Sequence, residues 1–133
     1  PHYNEFSKMI DVPVEVFKND IIKHIKKVSG FLKNRILVLK GPNTIIADGQ
    51  NNIYVIEKGT YNLGTAGTGD ILSGIISSYV ASGYTLIDAA IIGVSIHSHI
   101  SFILMSKNTR SITASEMFSY INHSQNHFLN YHD

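Results

Sequence analysis

The chain contains no cysteine, no excess of either charge and no long uninterrupted apolar run. Without cysteine there are no disulfides, no thiolate metal site and no cysteine nucleophile, which fits a cytoplasmic protein. A formal net charge of +1 gives no electrostatic reason to expect nucleic acid or an anionic membrane as partner. The most apolar stretch, residues 86–105, is interrupted by Asp88, His97 and His99, so no membrane span is expected. The opening Pro1-His2-Tyr3-Asn4-Glu5 is polar and lacks Met, so no signal peptide is expected there. It starts within what reads as ordered sequence, and a piece of a longer chain is expected. There is no internal repeat, low-complexity tract or linker.

What is present is enough for one globular domain. The 133 residues are 44 % hydrophobic and 16 % charged, which describes a packed interior rather than a disordered tail. The densest local pattern is Gly64-Thr65-Ala66-Gly67-Thr68-Gly69-Asp70, followed by the helical run Ile71, Leu72, Ile75, Ile76, Tyr79, Val80. Glycine lets a ligand approach the backbone. The first N–H groups of the helix lack internal partners and sit at the positive end of its dipole, so an anion is expected there. A carboxylate at such a place repels an anion, and makes sense if Asp70 takes a proton from a group attacking a bound phosphate. The alternative is that Thr68 or Asp70 simply caps the helix. Small Ser73, Gly74, Ser77 and Ser78 are expected to allow close packing, and Gly83 to stop the helix.

Upstream, residues 1–10 read as a short polar segment. One helix is expected from Pro13 to Gly30, with Val14, Phe17, Ile21, Ile25 and Val28 facing a core and Lys18, Lys23, Lys26 and Lys27 in solvent. The apolar run Ile36-Leu37-Val38-Leu39 reads as a parallel strand buried on both faces, which places Lys40-Gly41-Pro42-Asn43-Thr44 at the carboxyl end where ligands gather. A single parallel strand needs a partner, either a missing half or a second copy. Residues 44–47 and 53–56 flank a turn-rich Asp48-Gly49-Gln50-Asn51-Asn52 and predict a hairpin. Thr85 with Asp88, and Thr113 with Glu116, predict the starts of helices reaching about Met105 and Leu129, ahead of a frayed tail at 130–133. Of the seven histidines, His97 and His99 point to different helix faces, while His123 and His127 lack a third ligand, so no metal site is expected. His24, among lysines, reads as exposed.

Taken together, Pro1-His2-x-x-Glu5-Phe6, the segment from Lys40 through Thr44 to Gly49, the glycine stretch ending Gly69-Asp70-Ile71-Leu72-Ser73-Gly74, and Asp88 through His99 resemble the ADP- or ATP-dependent NAD(P)H-hydrate dehydratases of the ribokinase-like superfamily. The resemblance runs from Pro1 to about Ser115. It implies a ribokinase-like three-layer αβα fold, here its C-terminal portion: a buried strand, a β-hairpin, the glycine-rich anion loop and C-terminal helices. It also implies a reaction in which ADP or ATP phosphorylates the added hydroxyl of hydrated NADH or NADPH, after which phosphate leaves and the reduced cofactor is restored. On this resemblance His2 contacts the hydrated substrate. Lys40, Gly41, Pro42, Asn43 and Thr44, with Gly69, hold the adenine nucleotide. Gly67, Thr68 and Gly69 form an anion hole, and Asp70 is the base at the substrate hydroxyl. Mg²⁺ is implied as cofactor and a homo-oligomer, often a tetramer, as assembly. The chain departs from the family at Tyr3, where proline is usual, and at Ser98, where glycine is usual. The family's first half, with much of the substrate pocket, has no counterpart, so this chain alone is expected to bind nucleotide weakly without turnover. Two other readings stand beside this one: a small-molecule kinase of the same superfamily, and a non-catalytic remnant that binds nucleotide.

Overall fold

The structure is a computed structural model and describes residues 1–57, 66–107 and 112–129. Gly64 and Thr65 of the glycine-rich stretch, and the tail 130–133, lie outside the described residues. The chain divides into two compact units, Pro1–Glu57 and Lys58–Asp133.

The first unit begins with α1 (Tyr3–Ile10), a helix where the residues alone showed only a short polar segment. Its start is a capping box with histidine in the role usual for serine or threonine. His2 Nδ1 accepts from the Glu5 N–H at 3.2 Å, and a Glu5 carboxylate oxygen accepts from the His2 N–H at 2.7 Å. That backbone bond is the main reason the Glu5 pKa lies below the usual carboxylate value. The helix expected over 13–30 is two: α2 (Val14–Lys18) and α3 (Ile21–Leu32). The break falls where the Asp20 carboxylate caps α3 by accepting from the Lys23 N–H. Gly30 does not terminate α3. It lies inside the helix, and the chain turns at Lys33, with φ of 51°. The apolar stripe packs as expected, since Phe17 and Ile25 are buried with Phe6, Leu37, Leu39, Ile45 and Ala47. Phe6 and Phe17 meet edge to face at 5.6 Å, and burying each contributes roughly 1.5–3 kcal/mol. The four lysines are exposed, whereas His24 is half-buried.

The expected parallel strand is corrected. β1 (Leu37–Leu39) pairs antiparallel with β2 (Thr44–Ala47), in register Leu39 with Ile45 and Leu37 with Ala47. An apolar run reports burial and carries no direction. A parallel partner needs a crossover of a dozen or more residues, and Lys40-Gly41-Pro42-Asn43 is far too short. Val38 is only half-buried, so burial on both faces is not met either. The one parallel contact among the described residues is a single bridge between His2 and Lys40, where the Lys40 N–H donates to the Pro1 carbonyl at 2.8 Å. The predicted hairpin is present: β2 pairs antiparallel with β3 (Ile53–Ile56), giving a three-stranded sheet in the order β1-β2-β3. Its turn is organised by the Asp48 carboxylate, which accepts from the N–H groups of Gln50 and Asn52 and from the Asn52 amide.

Among its described residues the second unit contains helices joined by short turns and no strand. α4 (Thr68–Ala81) ends near Gly83, which has φ of 92°, and α5 (Leu86–Ser106) starts at Thr85, whose hydroxyl accepts from the Asp88 N–H. The final predicted helix is two, α6 (Ala114–Phe118) and α7 (Ile121–Leu129), and the Thr113–Glu116 capping box is present. The core joins Ile71 and Ile75 of α4 to Ile96, Ile100 and Leu104 of α5, with Ile112 and Met117. Close packing is not where the small residues of α4 predicted it. Ser73, Gly74, Ser77 and Ser78 are exposed, and the glycine that lets two helices approach is Gly93 of α5, facing Ile76. α5 is long and apolar enough to cross a bilayer by length and composition, and half of its most apolar window is buried within the fold.

His99 of α5 and His127 of α7 stack face to face, centroids 4.1 Å apart and planes 15° from parallel, with Phe128 edge-on to both. Burial, then the proximity of His127 and His123, hold the His99 pKa below the ordinary histidine value. The unfolded chain therefore takes up this proton at higher pH than the native one. The contribution of His99 to stability is complete above the ordinary imidazole value and is lost as pH falls through the lower, native one. Thermal melts from about pH 7.5 to about pH 5 should show a steeper fall of Tm for the wild type than for His99→Phe, which can stack but not titrate. Equal slopes would contradict the assignment.

Candidate active site

The expected site residues fall into two groups, one in each unit, and each is described on its own. In the first unit, Lys40-Gly41-Pro42-Asn43 is the tight turn between β1 and β2, and Thr44 opens β2. Lys40 and Gly41 are half-buried, Pro42 and Asn43 exposed, and Thr44 fully buried. The bridge from His2 to Lys40 brings the expected substrate residue beside the expected nucleotide segment. His2, Tyr3, Asn4, Lys40 and Gly41 line an open depression of about 310 Å³. The His2 imidazole is engaged at the helix start: Nδ1 accepts from Glu5, and Nε2 lies 3.4 Å from the Glu5 carboxylate. The sequence contained this capping box, with Glu5 three residues after His2, but histidine is not among the usual capping residues.

Tyr3, the departure from the family pattern, lies over Gly41. A methyl group at Gly41 would come within 2.5 Å of Tyr3 Cε1, while the Tyr3 ring rests edge-on against Phe17 at 5.4 Å. Gly41→Ala should therefore cost about 1–3 kcal/mol in denaturant melts by overpacking. In a Tyr3→Ala background most of that cost should vanish. Additive effects of the two substitutions would show that they do not touch in solution.

In the second unit, Gly67-Thr68-Gly69-Asp70 is the start of α4. Gly67 is the N-cap residue, with φ of 87°, and its neighbour across the fold is the Ala114 methyl, 3.1 Å from where a Cβ on Gly67 would lie. No side chain caps this helix, so the capping reading of Thr68 and Asp70 fails on geometry. Thr68 is the first helical residue and buried, Gly69 the second, and Asp70 the third, with its side chain exposed. Among the described residues the Asp70 carboxylate has no hydrogen bond or ion pair. It stands at the rim of an apolar groove of about 420 Å³, walled by Ile71, Gly74 and Ile75 of α4, by Phe118, and by Ile121 and Gln125 of α7. Behind it, buried His97 of α5 reaches the Thr68 carbonyl, its Nε2 2.9 Å from the oxygen. Sequence reasoning missed both the groove and this contact. The available sign was that Gly93 and His97 share one face of α5 at a spacing of four.

No cluster of three histidine or carboxylate side chains suited to a metal occurs among the described residues. A metal cage built by those residues alone does not fit.

A small antiparallel sheet with helices, and a glycine-rich start of α4 whose third residue is a carboxylate unpartnered among the described residues, are the features to be matched. The fold is like that of a solved ribokinase-like protein of Enterococcus faecalis, which is 23 % identical with TM-score 0.80 over 95 % of this chain and 43 % of that one. The sequence profile of the NAD(P)H-hydrate dehydratases matches residues 1–123, and the chain belongs to that family. It is 35 % identical over 120 residues to a bifunctional NAD(P)H-hydrate repair enzyme of Dictyoglomus turgidum, covering 88 % of this chain and 23 % of the relative. It is 25 % identical, with TM-score 0.88, to an ADP/ATP-dependent NAD(P)H-hydrate dehydratase of Bacillus subtilis co-crystallised with ATP and Mg²⁺ and soaked with coenzyme A. That match covers 96 % of this chain and 47 % of the solved one. The chain thus spans about a quarter of the Dictyoglomus relative and about half of the Bacillus structure.

Proposed function

We propose that this chain takes part in the ADP- or ATP-dependent dehydration of hydrated NADH and NADPH, with Asp70 as the base. The observation that carries this is the exposed Asp70 carboxylate, unpartnered among the described residues, in the first turn of a helix whose start has no side-chain cap. Asp70 takes the proton of the added hydroxyl as that oxygen attacks the terminal phosphorus of the nucleotide. The bond from that phosphorus to its bridging oxygen breaks, leaving ADP from ATP or AMP from ADP. The phosphate ester then leaves as inorganic phosphate, the neighbouring carbon loses a proton, and the ring double bond is restored. The N–H groups around Gly67, Thr68 and Gly69 hold the transferring phosphoryl group, because a helix start is already oriented toward negative charge. Lys40, Gly41, Pro42, Asn43 and Thr44 hold the nucleotide, and His2 adjoins the hydrated substrate while capping α1. The apolar groove beside Asp70 offers a bed for a flat ring. Mg²⁺, the cofactor that the family resemblance implies, would be held by the nucleotide phosphates rather than by a cage of described residues and would neutralise their charge. A cytoplasmic location and a homo-oligomeric assembly belong to the same proposal.

The test is to incubate the full-length protein with hydrated NADH and either nucleotide. Recovery of reduced-nicotinamide absorbance, with one phosphate released per NADH, is the expected result. A stable phosphorylated product without NADH recovery would indicate a small-molecule kinase. Nucleotide binding with no product would indicate a non-catalytic binder.

A further inference from the structure

We infer that His97 is a positioning residue. From α5 it donates a hydrogen bond to the Thr68 carbonyl and so fixes the first turn of α4, and with it the carboxylate of Asp70. The inference rests on the proposed role of Asp70 and adds the group that holds it in place.

His97 is buried, and its Nε2 lies 2.9 Å from the Thr68 oxygen, across 29 residues of sequence. A carbonyl oxygen can only accept, so Nε2 carries the proton. A buried imidazole on an apolar helix is costly unless it is hydrogen-bonded, and leucine or isoleucine would fill the position without that cost. The polar group therefore has a task that packing alone does not require. Thr68 is the first residue of α4 and stands two residues before Asp70. The start of α4 has glycine at its N-cap and second position and no side-chain cap, so little in its own sequence holds it rigid.

A second observation shows that the approach of α5 to α4 is built in. Gly93 lies one turn before His97 on the same face of α5, and a Cβ there would come within 2.5 Å of Ile76 Cγ1 and 3.3 Å of the Ile76 backbone. Glycine sets the distance between the helices, and the imidazole pins the end of α4 that carries the carboxylate. Misplacing a catalytic group by about 1 Å can cost about 10²-fold in rate, so a fixed helix start bears on turnover more than on affinity.

The experiment compares His97→Leu, which removes the donor, with His97→Gln, whose amide can still donate, in the full-length protein. Amide exchange at residues 70–72 should be about tenfold faster in His97→Leu, with the middle of α4 unchanged, and close to wild type in His97→Gln. In the dehydration assay kcat should fall about 10- to 100-fold for His97→Leu, with KM for hydrate and nucleotide within about threefold, and should recover in His97→Gln. If His97→Leu does not fold, His97→Asn, whose amide is too short to reach, takes its place. Unchanged exchange at 70–72, or a glutamine variant as impaired as leucine, overturns the inference. A wild type without dehydratase turnover would count against the proposed function alone, because exchange at 70–72 judges His97 independently of it.

Discussion

With Asp70 as the proposed base, Asp70→Asn in the full-length protein is expected to reduce turnover by about 10²- to 10⁴-fold, the range typical of losing a general base. Asparagine keeps the size of the side chain but cannot take the hydroxyl proton. Stability should barely move. Asp70 is the third residue of α4 and caps nothing, so the change removes only a favourable charge in the first turn, about 0.3–1 kcal/mol. Nucleotide affinity should hold or rise slightly, because a negative charge beside the phosphates is gone. The decisive measurements are kcat and nucleotide binding on the same folded sample. Near-normal turnover would end the base assignment. Loss of binding together with turnover would make Asp70 a ligand-holding residue instead.

Gly67→Val should act in the opposite sense, on binding and stability before chemistry. Gly67 has φ of 87°, which branched side chains avoid, and the space beside it is taken by the Ala114 methyl. Holding a non-glycine residue there costs roughly 1–3 kcal/mol, and relieving the strain means shifting the helix start whose N–H groups are proposed to face the phosphate. Nucleotide binding should therefore fail and the thermal transition should drop. Gly69 separates the two effects, because it is the second residue of α4 and lies inside the helix. Gly69→Ala should leave stability unchanged or slightly raised, alanine being the better helix former. Any loss of nucleotide affinity there would come from blocking close approach to the backbone. Calorimetric titration with thermal melts on the two variants checks this: equal melting temperatures for both would show that the positive φ at Gly67 is not a constraint.

Much of this was open to reading in the residues themselves. The stripe Val14, Phe17, Ile21, Ile25, Val28, the Asp48 turn, the caps at Thr85 and Thr113 and the glycine-to-aspartate helix start all depend on neighbours within a few positions. Local propensity and hydrogen bonding act over that range. The two missed breaks, at Asp20 and between Phe118 and Ile121, share a cause. Helical periodicity continues through a short break, so the pattern cannot show where one helix stops and the next begins.

By itself, then, the sequence determined the family, most of the helical and strand segments and the glycine-to-aspartate start of α4, because glycine, a carboxylate and apolar spacing have local consequences that packing rarely reverses. Tertiary structure alone decided the rest. It set β1 antiparallel to β2, since strand direction depends on the length of the connection, and a run of apolar residues carries no such information. It placed the close approach of helices at Gly93 rather than at the serines of α4, and it joined His97 to Thr68 across 29 residues. Contacts of that kind exist only once two distant segments share a core, because the energy that makes them comes from burying both faces together.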